Sequence, residues 1–162
     1  LFEQHAPFML RVVQRLGGTP DDAEDIVQEV FVVAHRQGRP RATVPARAWL
    51  YGIAQNKILH LRRGRGRFLR FVEGYKREDH TDTKAADLLI EKKQRALAIR
   101  RAVETLPMKQ RSVFVLYELE RMPGEELAEI LGIPLGTVWS RLRLAREAFR
   151  RAFKLIDEEK PS

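Results

Sequence analysis

Cysteine is absent from the 162 residues of this chain, so neither a disulfide framework nor a thiolate metal site is open to it. No apolar run reaches the ~20 residues that a membrane-spanning helix needs. No signal peptide stands at its start. Membrane insertion is therefore not expected, and the cytoplasm is the expected compartment. Histidine is scarce: His5, His35, His60 and His80 are the four present. No two of them share a helical face with a carboxylate, the spacing a metal pair requires, and Glu24 or Asp25 lies about three turns from His35. There is no nucleophile motif and no glycine-rich phosphate loop following a strand. These absences argue against an enzyme and against a bound cofactor or metal. Acidic residues are in deficit, 22 against 30 Lys and Arg, which leaves a net charge of +8 and a pI near 10.2. That sign favours a polyanionic partner, nucleic acid or an acidic membrane surface, over a basic protein that is merely soluble.

What is present is helical periodicity, with no convincing alternating strand. The expected class is all-α. The most informative stretch is Glu125 to Phe153. Leu127, Ile130 and Leu131 keep the i, i+3, i+4 spacing of one helical face. Gly132-Ile133-Pro134 then stops that helix, because glycine takes a left-handed turn and proline cannot continue. A second stripe follows at Val138, Leu142, Ala145 and Phe149. Its other side carries Thr137, Ser140, Arg141, Arg143 and Arg146. Two short helices around a tight turn, the second basic and hydroxyl-bearing, suit docking in a DNA major groove. An ordinary helical hairpin with a solvated basic face has the same pattern.

Upstream, Phe2 to Leu16 reads as a first helix closed by Gly17-Gly18. Thr19-Pro20-Asp21-Asp22 is a helix start, with a hydroxyl cap, proline at the first helical position and acids near the positive end. That helix runs to about His35. A Gly-, Pro- and Arg-rich loop spans Gln37 to Val44, and a third helix spans Pro45 to about Arg63 with Trp49, Leu50, Ile53, Ala54, Ile58 and Leu61 inward. Gly64 to about Leu89 shifts to Gly-Arg repeats and scattered charge, the composition of a linker. Helicity resumes near Leu89 and ends at Pro107, and Ser112 to Glu120 reads as a further helix. The expected organisation is two small helical domains, 1–70 and 91–156, joined by a linker over 71–90.

Two segments invert each other's charge. Asp21 to Glu29 holds five acids and no base. Asp22, Asp25, Gln28, Glu29 and Val32 project off its apolar stripe, as a solvent face or as a docking face for a protein partner. Arg47 to Arg77 holds nine basic residues and one acid, interleaved with Trp49, Tyr51, His60, Phe68, Phe71 and Tyr75. Basic side chains follow phosphates and aromatic faces stack unpaired bases. Trp49 is equally suited to the core. Asn56 lies near the border of the apolar face, within reach of a base edge or of solvent alone.

Four segments, DAEDIVQEVFVVAH (22–35), ARAWLYGIAQNKI (46–58), LPMKQRSVFVLYELE (106–120) and EELAEILGIPLGTVWSRLRLAREAFRR (125–151), stand in the order and spacing of one family. Together they resemble bacterial RNA polymerase sigma factors of the extracytoplasmic-function group, within the sigma-70 superfamily. The resemblance implies a region 2 helical bundle over 1–70, a flexible linker, and a region 4 helix-turn-helix over 91–156. It implies that Asp22, Asp25, Gln28, Glu29 and Val32 grip the clamp helices of RNA polymerase core. It implies minus-10 recognition by Pro40, Arg41, Trp49, Asn56, Lys57, His60 and Arg63, with a base flipped into a pocket between loop 37–44 and Asn56. Thr137, Trp139, Ser140, Arg141, Arg143 and Arg146 would read the minus-35 element, while region 4 docks on the polymerase flap. An anti-sigma factor is a further implied partner. The chain departs from the family at Pro123-Gly124, where a Ser or Thr cap is common, and at Trp139 and Leu144, where basic residues are common. A stand-alone helix-turn-helix regulator is the alternative, but it would need a ligand or dimerisation domain rather than an acidic face beside a basic aromatic helix.

Overall fold

A computed structural model describes residues 1–17, 20–38, 43–65 and 84–159. Among them the chain is helical throughout, with no strand. Helix α1 is Phe2–Arg15, α2 is Pro20–Gln37 and α3 is Ala46–Arg65. Pro20 opens α2, where its fixed φ suits the first turn. Asp21 and Asp22 stand at the positive end of the helix dipole, and His35 and Arg36 at the negative end. Val12, Val13 and Leu16 of α1, Ala23, Ile26, Val27, Val30 and Ala34 of α2, and Leu50, Ala54 and Ile58 of α3 meet in one apolar interior. Gly17 makes the turn after α1 at φ +119°, a region that favours glycine.

The second half begins with α4, Lys84–Glu104. Its start lies inside the span that composition marks as linker. Leu88, Leu89 and Leu97 are exposed there, and only Ala98, Ala102 and Val103 near its end are buried. The early turns therefore rest on helix propensity rather than on a buried stripe. Helix α5 (Met108–Phe114) follows, opening four residues ahead of Ser112, and passes into a π-helical segment, Val115–Leu119, instead of continuing as one α-helix to Glu120. There the Glu120 amide donates to the Val115 carbonyl at 3.0 Å. Helix α6 (Gly124–Leu131) ends at Gly132, which takes the left-handed conformation at φ +64°. Helix α7 (Leu135–Glu158) runs past Phe153, and buries Val138, Leu142 and Ala145.

The two halves share a continuous core. Arg111 of α5 is fully buried and donates to the carbonyl of Leu16 in the first half at 3.1 Å. The same guanidinium donates to the carbonyls of Leu106, at 3.0 Å, and Glu104. Glu120, its side chain 6% exposed, accepts from Arg15 Nη1 at 2.7 Å and Arg11 Nε at 3.2 Å. Arg47 sits 5.0 Å over the Phe8 ring and pairs with Glu126 at 3.3 Å. Tyr51 is buried, not part of a nucleic-acid stacking surface as the basic aromatic segment suggests. Its place on α3 faces the second half, beside Ser112, and burial pushes its hydroxyl up to about 12. The Ser112 hydroxyl offsets part of that rise. Tyr51 is thus neutral across the physiological range.

Candidate functional site

Helices α6 and α7 form the helix-turn-helix. Burial of Leu127 and Ile130 on one helix, and of Val138, Leu142 and Ala145 on the other, fixes which side of α7 is left outside. Ser140 and Arg143 are exposed on that side, and Thr137 and Arg141 are half-buried on one flank. Neither Arg141 nor Arg143 has an ion-pair partner among the described residues, so both guanidinium groups are available to a polyanion. The Ser140 hydroxyl donates to the Thr137 carbonyl at 3.1 Å, which leaves its lone pairs as acceptors.

The other flank of α7 is organised differently. Trp139 and Arg146 are seven residues apart, about two turns, and share one side of the helix. Both touch Tyr117 of the π-helical segment. Its ring meets the Trp139 indole edge to face, with centroids 5.5 Å apart at 87°, and Arg146 lies 5.5 Å over it. Arg146 also pairs with Glu118. Arg146 is therefore held by its own domain, unlike Arg141 and Arg143. The indole rests against Gly124 at the start of α6: a Cβ there would lie 2.6 Å from Cη2 and Cζ2 of Trp139. Sequence reasoning misses Tyr117, Glu118 and Gly124. The only signal for Gly124 is its place where a capping Ser or Thr would be expected, and α6 has no side-chain cap.

On the first half, Asp25, Gln28, Glu29 and Val32 are exposed and Asp22 is half-exposed, all on the solvent side of α2. On α3, Trp49 and Asn56 are likewise two turns apart on one side, with His60 next to them. Asn56 and His60 are exposed and Trp49 half-buried. Trp49 lines a cavity of about 400 Å³ with Leu1, Phe2, Phe31, Ala34, His35 and Gly38. The two faces meet at one ion pair, Lys57 Nζ to Glu29 Oε2 at 2.8 Å. Both partners are well exposed, so the pair contributes little stability and opens readily. Pro40, Arg41 and the Arg63 side chain lie outside the described residues, as do Phe68, Phe71 and Tyr75. Among the described residues no group of His, Asp and Glu could hold a metal ion, and no helix is long and apolar enough to cross a membrane.

A three-helix bundle with an acidic face, followed by a helix-turn-helix with a basic one, is the layout of a sigma-70 protein. Residues 1–68 match the family described as Sigma-70 region 2, and residues 96–149 match Sigma-70, region 4. The ECF RNA polymerase sigma factor SigL of Mycobacterium tuberculosis is 34% identical over 152 residues, covering 93% of this chain and 85% of SigL. SigE of Mycolicibacterium smegmatis, also an ECF sigma factor, is 33% identical over 152 residues, 93% of this chain but 59% of SigE. The fold matches the sigma factor RpoE of Bartonella quintana, solved with the anti-sigma factor NepR, at a TM-score of 0.64 and 25% identity over 94% of each chain. This chain belongs to the ECF group of RNA polymerase sigma factors.

Proposed function

We propose that this chain is a promoter-specificity subunit. It binds RNA polymerase core, directs it to promoters through their minus-35 and minus-10 elements, opens them, and catalyses no reaction itself. The observation that carries the reading is the separation of opposite charges onto the two matched regions. An exposed acidic face stands on α2, and exposed unpaired arginines stand on α7. The acidic face, Asp22, Asp25, Gln28, Glu29 and Val32, is suited to a protein and repels DNA. The face of α3 with Trp49, Asn56, Lys57 and His60 is suited to an unpaired minus-10 strand, with Pro40, Arg41 and Arg63 joining from the adjoining segments. Thr137, Ser140, Arg141 and Arg143 meet the minus-35 element, with Trp139 and Arg146 on their flank. The work takes place in the cytoplasm. By likeness to RpoE, whose structure contains an anti-sigma factor, this chain has an anti-sigma partner too. Reconstitution with core polymerase tests the reading. Co-elution and promoter-dependent transcripts are expected, whereas a chain that elutes alone and binds operators as a dimer would be a stand-alone regulator.

Two site predictions arise here. The Arg141→Ala, Arg143→Ala double variant should bind minus-35 DNA more weakly. A base-reading arginine is worth about 1–3 kcal/mol at one position, and a phosphate-bound one lowers the salt slope by about one. Undiminished binding by the double variant at several salt concentrations would remove both from the interface.

Asn56→Ala should leave core binding and minus-35 binding intact and reduce open-complex formation on linear templates. Extracting a base costs a few kcal/mol of unstacking, and loss of the amide leaves about 1–3 kcal/mol of hydrogen bonding unmade. Asn56 is exposed, so its removal does not touch the core. Permanganate footprints and transcript yields check this. Wild-type values for both would make Asn56 a plain surface residue.

A further inference from the structure

Trp139 is the fifth residue of α7, in the N-terminal part of a recognition helix that reaches base edges. It is 42% exposed, yet it is not a loose surface side chain. The Tyr117 ring meets it edge to face, and the Gly124 Cα supports its six-membered ring. The space taken by the indole is the space a Cβ at position 124 would need. That Cβ would also come within 3.3 Å of Leu135 Cδ1. The glycine at the start of α6 and the tryptophan in α7 are therefore one packing unit. The two departures from the usual sigma pattern, a missing cap and a missing basic residue, have a single physical cause.

We propose that Trp139 selects a thymine in the minus-35 element through its C5-methyl group, with Gly124 and Tyr117 as positioning residues that hold the indole for this contact. The inference rests on the minus-35 docking of α7 proposed above. The thymine methyl is the apolar group that the major groove offers, and an apolar side chain is its natural partner. An indole clamped before binding loses little conformational freedom on contact, which favours a specific contact over an adaptable one. Unlike the cation common at this position, it releases no counterion from the DNA, so this contact adds selectivity without adding salt dependence.

The test starts from a duplex library randomised over the minus-35 element, selected with holoenzyme reconstituted from this chain. Each thymine of the selected sequence is then replaced singly by deoxyuridine, which removes only the methyl group. The wild-type holoenzyme should lose about fourfold in affinity at one thymine, the worth of burying one methyl. Trp139→Ala should bind thymine and deoxyuridine equally there. Gly124→Ala keeps the indole but displaces it, and should lose the same discrimination. Trp139→Lys should lose it too while steepening the salt slope by about one. Insensitivity of the wild type to every deoxyuridine overturns the proposal, whether or not the variants fold. So does methyl discrimination that persists in Trp139→Ala. A holoenzyme that selects no minus-35 sequence overturns the function proposed above, and this inference with it. Selection without methyl dependence removes this inference alone.

Discussion

Arg111→Met should lower the unfolding free energy by about 3–5 kcal/mol, the range for removing one partner of a buried charged network. Arg111 is fully buried, and its guanidinium donates to the carbonyls of Glu104, Leu106 and Leu16. Glu104 ends α4, and Leu16 follows the last residue of α1. Carbonyls at helix ends have no partner within the helix and carry the negative end of its dipole. One planar fork thus satisfies the ends of two helices and an intervening turn. Methionine fills much of the volume but leaves the carbonyls without donors. Arg111→Lys should recover only part of the loss, because an ammonium group on a flexible stem does not reproduce the fork. Urea denaturation followed by circular dichroism measures both. A cost under about 1 kcal/mol for Arg111→Met would show that water replaces the guanidinium without penalty.

Asp25→Arg should weaken binding to core polymerase by a few kcal/mol, the usual cost of reversing a charge at a desolvated interface pair. Asp25 is exposed on α2 and is not among the described residues that make an internal contact. The folded chain should therefore keep its stability while losing its partner. Glu29 is the less clean choice, because it already pairs with Lys57. Gln28→Ala, which removes a polar contact without reversing charge, should weaken binding to a smaller degree. Titration of labelled chain with core enzyme, alongside thermal unfolding, separates binding from folding. Unchanged affinity for both Asp25→Arg and Glu29→Arg would move the docking surface off this face.

Most helices can be found from the sequence because each presents an apolar stripe to its own neighbours. Val27 and Val30 locate α2 in this way, and Val138, Leu142 and Ala145 locate α7. The glycine at 132 marks its turn by the same local logic. The reading falters where the partner lies far along the chain. Tyr51 stands beside basic residues in the sequence, yet it faces Ser112 across the two halves. Arg111 looks like one more surface cation in a chain of 30 Lys and Arg, and nothing in its neighbours announces that Leu16 will accept from it. Helix α4 escapes for the opposite reason: its first turns bury no stripe, so periodicity has nothing to detect. On α7, spacing identifies which residues leave the apolar stripe, but it does not separate Arg146, which is held by Glu118, from Arg141 and Arg143, which are not.

The π-helical segment makes chain length itself a structural variable. A π turn closes over five residues where an α turn closes over four, so Val115–Leu119 holds one residue more than the same length of α-helix requires. Each α-helical residue turns the chain by about 100°. Losing one residue here and relaxing to α-helix would swing all that follows by roughly that angle, carrying α6 and α7 off the core and separating Tyr117 from Trp139. Substitutions along this stretch act on one contact at a time. A single-residue deletion would act on all of them at once, so the orientation of the reading head depends first on how many residues precede it and only then on which ones.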